Sequence, residues 1–247
     1  MPNRIRVMIN GANGKIGVEA VTAVTNDPLC ELVARTGRDD NLKDVLQSCQ
    51  ADVVVDLTHP DSVRANIETI LNGNAHAVVG TTGLTETDLT ELDQLAKKNN
   101  KCLFVCPNFA IGAILMIKFS AEASKYLPDV EIIELHHNKK ADAPSGTALK
   151  TAELIYESNP EVNKTPLQEK EVIPGARGGK HKNIPIHSVR LPGLVANQEV
   201  ILGGLGQTLT LKHDTISRES FMPGILHCIK TTQTHASGLV YGLEKLI

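Results

Sequence analysis

The chain has 247 residues, 41% hydrophobic and 21% charged, enough to bury the core of one large domain or two modest ones. A net charge of −3, no basic block and no tryptophan argue against a nucleic-acid partner. No stretch approaches the roughly 18 apolar residues of a membrane span, and the N-terminal "MPNRIRVMIN" lacks the apolar run of a signal peptide.

Residues 4–9, "RIRVMI", predict a short buried strand, and "NGANGKIG" at 10–17 leads from it into a helix with Ile16, Ala20 and Val24 on one face. "CELVA" at 30–34 is a second strand. "ADVVVDLTHP" at 51–60 is a third, its unbroken valine run typical of a parallel strand buried on both faces. Asp61 is the expected cap of the next helix, which carries Val63, Ile67, Ile70 and Leu71 and ends at Gly73. A fourth strand and turn follow at 76–83, a helix opened by Thr85 and Asp88 runs to Asn99, and "KCLFVCPNF" at 101–109 is a fifth strand. This alternation predicts a doubly wound parallel sheet of Rossmann type, with ligands beyond the carboxyl ends of its strands. The tripeptides at 11–13, 57–59, 80–82 and 107–109 all fall at such ends.

Gly11, Gly14 and Gly17 lie between a strand and a helix in a G-x-x-G-x-x-G spacing. A pyrophosphate needs close backbone approach and the free N–H groups of a helix start, so the turn is expected to hold a dinucleotide. After the second strand an acidic residue would hold a ribose 2′-hydroxyl. Here "ARTGRDD" places Arg35, Thr36 and Arg38 first, with Asp39 and Asp40 further along. Arginine suits a 2′-phosphate, so NADPH is the expected cofactor, with NADH the alternative.

Beyond residue 108 the pattern changes. A helix near 110–127 leads to "VEIIELHH", and a second helix carries Ala148, Ala152 and Ile155 on one face. A mobile loop is expected at 160–183, where turn residues abound without periodicity. "IPIHSVRL", "NQEVILGG" and "QTLTLKHD" read as antiparallel strands, and residues 221–247 as a helix returning to the first domain. The expected division is 1–108 with 218–247 as the dinucleotide-binding domain and 109–217 as an α+β substrate and assembly domain with a mixed or antiparallel sheet. Cysteines 30, 49, 102, 106 and 228 are odd in number and contain no C-x-x-C pair, so they read as reduced thiols of a cytoplasmic protein; Cys102 and Cys106 share a strand face by parity.

The stretch "ELHHNKKADAPSGTALK" at 134–150 concentrates the chemistry. A histidine is the simplest proton donor near neutral pH. A lysine is a compact charge for a carboxylate, and Ser145-Gly146-Thr147 at a helix start offers hydroxyls and amides as an anion cradle. The set asks for a small dianion with one atom in need of a proton. A zinc hydrolase using His136, His137, His181 or His187 is a weaker reading, because adjacent strand histidines face opposite ways; no residue is assigned to a metal. A non-catalytic NADPH sensor accounts for the glycine turn but not for the histidine–lysine cluster.

With these residues in view, the sequence resembles the 4-hydroxy-tetrahydrodipicolinate reductase (dihydrodipicolinate reductase) family of the diaminopimelate–lysine pathway. The resemblance runs nearly end to end through "GANGKIG", "DLTHP", "VVGTTG", "PNFAIGA", "ELHHNKKADAPSGTA", "GARGG", "HSVRLPG" and "SRESFMPGI". It implies NAD(P)H-dependent reduction of a cyclic unsaturated dicarboxylate imine by a homotetramer assembled through the sheet of the C-terminal domain. His136 matches the catalytic histidine, His137 a substrate contact, and Lys140 the lysine that faces the substrate carboxylate and assists protonation. Gly146 and Thr147 match the carboxylate cradle, beside Ser145. Gly11, Ala12, Asn13, Gly14, Lys15 and Ile16, then Gly80, Thr81 and Thr82, then Cys106, Pro107, Asn108 and Phe109, match the cofactor-contacting segments. Two departures stand out: Thr36, Gly37 and Arg38 take the place of an acidic residue, and Asn197 stands where relatives often have histidine.

Overall fold

The computed structural model describes residues 4–164 and 170–247. Two compact units emerge, one from the segments up to Ile111 and from Arg218 onward, the other from Gly112–Ser217.

The first unit is built on β1 (Ile5–Asn10), β2 (Cys30–Thr36), β3 (Val53–Asp56), β4 (His76–Val79), β5 (Cys102–Val105) and β11 (Gly238–Tyr241), in the order β11-β5-β4-β3-β1-β2, all parallel. The chain moves from β1 outward to β2 and then crosses to β3, so the topological switch lies between β1 and β3. The helices are α1 (Gly17–Asn26), α2 (Leu42–Cys49), α3 (Pro60–Asn72), α4 (Glu86–Lys98) and α7 (Met222–Thr231). On one sheet face Met8, Val54, Val79 and Leu103 pack with Leu46 of α2, Ile67 of α3 and Leu92 of α4. The other face meets α7: Cys102 Sγ lies 3.7 Å from the Thr232 carbonyl, and Cys106 Sγ lies 3.9 Å from Cys228 Sγ. The shared strand face of Cys102 and Cys106 is as parity predicts, and all five cysteines are free thiols.

Several local expectations change. The cap of α3 is His59 rather than Asp61, because Pro60, with no N–H to satisfy, takes the first helical position. Asp61 sits in the first turn. At α4 the expected start holds: Thr85 and Asp88 form a reciprocal capping box. The C-terminal segment is not one helix. α7 ends at Thr231, and Leu239 belongs to β11, a sixth strand paired parallel with β5. A further helix, α2, capped by the Asn41 side chain, separates β2 from β3.

The second unit holds α5 (Ile111–Ala123, its first residue at the boundary), β6 (Asp129–His136), α6 (Gly146–Ser158), β7 (Gly179–His181), β8 (Ile184–Arg190), β9 (Ala196–Gly204) and β10 (Gln207–Thr215). Its sheet order is β10-β9-β6-β8-β7. The sheet is mixed, the first of the two forms expected: β6 and β8 run parallel, with α6 and β7 in the crossover, and the other pairs are antiparallel. Of the loop expected at 160–183, residues 165–169 lie outside the described residues, and 179–181 form β7. Alternation splits the sheet cleanly. Val130, Ile132, Ile184, Ile186, Val200 and Leu202 are buried on the face that carries α6, while Ile133, Leu135, Val189 and Ile201 on the other face stay half exposed.

Candidate active site

In the first unit the expected cofactor segments gather at the carboxyl ends of the strands. Gly11 has a left-handed backbone (φ +85°), and a Cβ there would lie 2.5 Å from the Leu57 carbonyl oxygen at the switch point. At Gly17 a Cβ would meet the Gly11 oxygen at 2.1 Å. These two glycines are therefore required by the turn's own packing, before any ligand is considered. Asn13, Gly14 and Lys15 are exposed at its tip. Among the described residues the N–H groups of Asn13, Lys15 and Ile16 have no hydrogen-bond partner, while those of Gly11 and Ala12 go to the Thr36 carbonyl. Three free amides at the start of α1 suit the anionic bridge of a dinucleotide.

Beneath the turn, Asp56 is fully buried and saturated. Its carboxylate accepts from Asn10 Nδ2 (2.8 Å), Thr58 Oγ1 (2.8 Å), Thr81 Oγ1 (2.7 Å) and Asn66 Nδ2 (2.9 Å). The Thr36 hydroxyl donates to Asn10 Oδ1 at 2.8 Å and is buried. Thr36 and Thr81 thus spend their side chains inside the protein, leaving Arg35, Arg38 and Thr82 exposed. Among the described residues neither arginine has an ion-pair or hydrogen-bond partner. Asp40, the nearby acid, has its carboxylate turned back onto the Gly37 N–H at 2.7 Å. Beyond β4 and β5, Gly80 abuts the buried Phe109 ring, Cys106 is buried, Pro107 is exposed, and Asn108 Oδ1 accepts from the Ala110 N–H at 2.9 Å.

In the second unit the end of β6 and the start of α6 bring the second cluster together. Glu134 and His136 share a face of β6 by the two-residue period. His136 Nδ1 lies 2.5 Å from Glu134 Oε2. Glu134 is fully buried, and both its oxygens are forked by Arg190 from the parallel neighbour β8, at 2.9 and 2.7 Å. Burial alone would raise the Glu134 pKa; Arg190, Ser188 and His136 together hold it below the ordinary value. For His136 burial dominates and lowers the pKa, with Lys140 and Arg190 pushing the same way against Glu134. The ring is therefore neutral around pH 7.

Lys140 pairs with Asp142 through both carboxylate oxygens at 2.8 Å, while His137 is exposed. The Lys140 charge keeps the Asp142 pKa low. Ser145 caps α6, its hydroxyl accepting from the Ala148 N–H at 3.2 Å. Gly146 and Thr147 follow with N–H groups that, among the described residues, have no partner. A Cβ at Gly146 would meet nothing within 4 Å, so packing inside the chain does not demand the glycine. Glu134 and Arg190 are absent from the sequence-based site. Two signals point to them: Glu134 precedes His136 by one strand period on the buried face, and Arg190 falls by the same period on the face of β8 that buries Ile184 and Ile186.

Residues 5–109 match the family description "Dihydrodipicolinate reductase, N-terminus" and residues 112–247 "Dihydrodipicolinate reductase, C-terminus". The chain belongs to the dihydrodipicolinate reductase family. The 4-hydroxy-tetrahydrodipicolinate reductase of Legionella pneumophila (strain Lens) is 50% identical over 99% of this chain and 100% of its own length. That of Lysinibacillus sphaericus is 48% identical over 98% of this chain and 99% of its own. The structure of a dipicolinate-bound dihydrodipicolinate reductase from Paenisporosarcina sp. TG-14 matches with a TM-score of 0.92 at 44% identity, covering 99% of this chain and 100% of that one. Within this reductase family, the Gly11 turn falls in the N-terminal match and the His136 cluster in the C-terminal one.

Proposed function

We propose that the protein reduces the cyclic unsaturated imine formed from 4-hydroxy-tetrahydrodipicolinate to tetrahydrodipicolinate, in diaminopimelate and lysine biosynthesis, with NADPH preferred over NADH. The observation that carries this reading is the gathering of a partly buried His136, Lys140 and the free amides of Gly146 and Thr147 at the end of β6 and the start of α6, in a chain of this family. The relative from Paenisporosarcina is dipicolinate-bound, a planar dicarboxylate of the same outline.

A reduced nicotinamide, when bound, supplies a hydride to the conjugated carbon of the ring. The free amides of Asn13, Lys15 and Ile16 hold the pyrophosphate, and Arg35 and Arg38 suit a 2′-phosphate, the basis of the NADPH preference. Lys140, His137, the Ser145 turn and the Gly146 and Thr147 amides grip the two carboxylates. Asp142 occupies Lys140 in the free protein and is displaced or shared when a carboxylate arrives. His136 delivers the proton that balances the hydride, to the enamine-like carbon beside the imine. The gain comes from orientation and charge rather than from new chemistry on the protein.

The protein acts as a cytoplasmic homotetramer in this reading. Support for assembly is the half-exposed face of the second sheet with Ile133, Leu135, Val189 and Ile201. Asn197 shares that face by register, and its Oδ1 is buried without a hydrogen bond among the described residues. No helix among the described residues is long and apolar enough to cross a membrane.

The test is absorbance decay of NADPH and of NADH with purified protein and freshly generated substrate, before and after His136→Gln. Substrate-dependent decay with a kcat drop of roughly 10²–10⁴-fold in the variant is expected. Near-normal turnover in the variant would remove His136 from the mechanism.

A further inference from the structure

We infer that Glu134 is the positioning residue for His136: clamped by Arg190, it takes the Nδ1 proton and so makes Nε2 the atom that hands a proton to the substrate. This rests on the proton-donor reading given under Proposed function and adds which nitrogen acts and what fixes it.

The argument runs from acceptors and donors. Arg190 stays charged at any working pH and has no acceptor atom. Its Nη1 and Nη2 bond opposite oxygens of Glu134, and Nη2 also donates to the Asp142 carbonyl at 2.7 Å. A carboxylate so forked remains ionised and accepts only. The short contact to His136 then requires Nδ1 to be the donor. The neutral ring is left with a bare Nε2, which is where an incoming proton binds and from which it leaves. The second Glu134 oxygen accepts the Ser145 N–H at 3.3 Å. One buried carboxylate thus ties the proton donor to the first turn of α6, the expected carboxylate cradle, and fixes their spacing.

In the transfer itself the Nε2–H bond breaks and its electron pair stays on Nε2. A C–H bond forms at the ring carbon beside the imine. The imidazole ends neutral with Nδ1–H still on Glu134, and water returns the spent proton. The charged groups that act on His136 are Glu134, which favours the imidazolium, and Lys140 and Arg190, which oppose it. Replacing Glu134 by an uncharged isostere removes the favourable member and leaves both opposing ones.

The experiment is long-range ¹H–¹⁵N correlation NMR on the full-length protein at about pH 8, with the His136 ring assigned by its loss in His136→Gln. Wild type is expected to show the Nδ1–H tautomer. Glu134→Gln, whose oxygen keeps Arg190 Nη2 and the Ser145 N–H while its amide replaces the oxygen shared by His136 Nδ1 and Arg190 Nη1, is expected to show Nε2–H. In steady-state assays the same variant should lose roughly 10–100-fold in kcat with little change in KM, the range found when the partner that orients a metal-bound histidine is removed. Its alkaline limb should move to lower pH. An Nε2–H tautomer in wild type overturns the inference and needs no variant to fold. An unmoved tautomer or pH profile in a folded Glu134→Gln also overturns it. A wild type with Nδ1–H that fails to reduce the imine leaves the clamp standing and refutes the functional reading instead.

Discussion

Arg190 and Glu134 face each other across parallel β8 and β6 as a bidentate pair, with the carboxylate fully buried and N–O distances of 2.9 and 2.7 Å. Such a pair is not a reliable source of stability, since desolvation offsets much of its attraction. Its position, between the proton donor and the start of α6, makes it a device for geometry.

Lys140 is predicted to serve both binding and rate. In Lys140→Ala the carboxylate loses its compact cation, so KM should rise and kcat should fall together. Steady-state kinetics in the imine checks this, and an unchanged KM would place the carboxylate elsewhere.

Binding of a dicarboxylate should take up a proton. Burial and the nearby cations lower the His136 pKa in the free protein, so the ring is neutral near pH 7. A dianion beside it favours the imidazolium and raises that pKa. Affinity should therefore strengthen as pH falls from the raised value toward the lowered one. Calorimetry with pyridine-2,6-dicarboxylate in two buffers of different ionisation enthalpy should give different heats. His136→Gln should remove the difference. Identical heats for the native protein would mean that His136 does not change protonation on binding.

Arg38→Ala should raise KM for NADPH and leave KM for NADH in place, because a 2′-phosphate gains a charge-assisted fork that a 2′-hydroxyl does not. Equal effects on the two cofactors would defeat the 2′-phosphate assignment.

Asp56→Asn should destabilise the first unit by about 2–4 kcal/mol, since its amide would confront the Asn10 and Asn66 donors in a buried site. Denaturant unfolding measures this. A change below ~1 kcal/mol would show that the network readily rearranges.

What the sequence reveals depends on how local each signal is. The Thr85–Asp88 box lies within four residues, and the β3 valine run needs no partner to be read. The 134–147 cluster is longer but still continuous in sequence, so its proposed ligands are visible as a set. β11 is different: "GLVY" becomes a strand by pairing with β5 more than 130 residues earlier. The parallel pairing of β6 with β8 is likewise invisible to alternation, which gives faces and not neighbours. Thr36 reads as a cofactor contact by position, yet its side chain turns inward to Asn10. The role of Arg190 is not legible in its own segment, because its partner, Glu134, is 56 residues away.

The most direct measurement is a crystal structure with pyridine-2,6-dicarboxylate and NADPH bound. The account predicts the dicarboxylate against His136, Lys140 and the Gly146 and Thr147 amides, and the pyrophosphate on the Asn13–Ile16 turn. A dicarboxylate remote from His136, or a dinucleotide away from that turn, would contradict it.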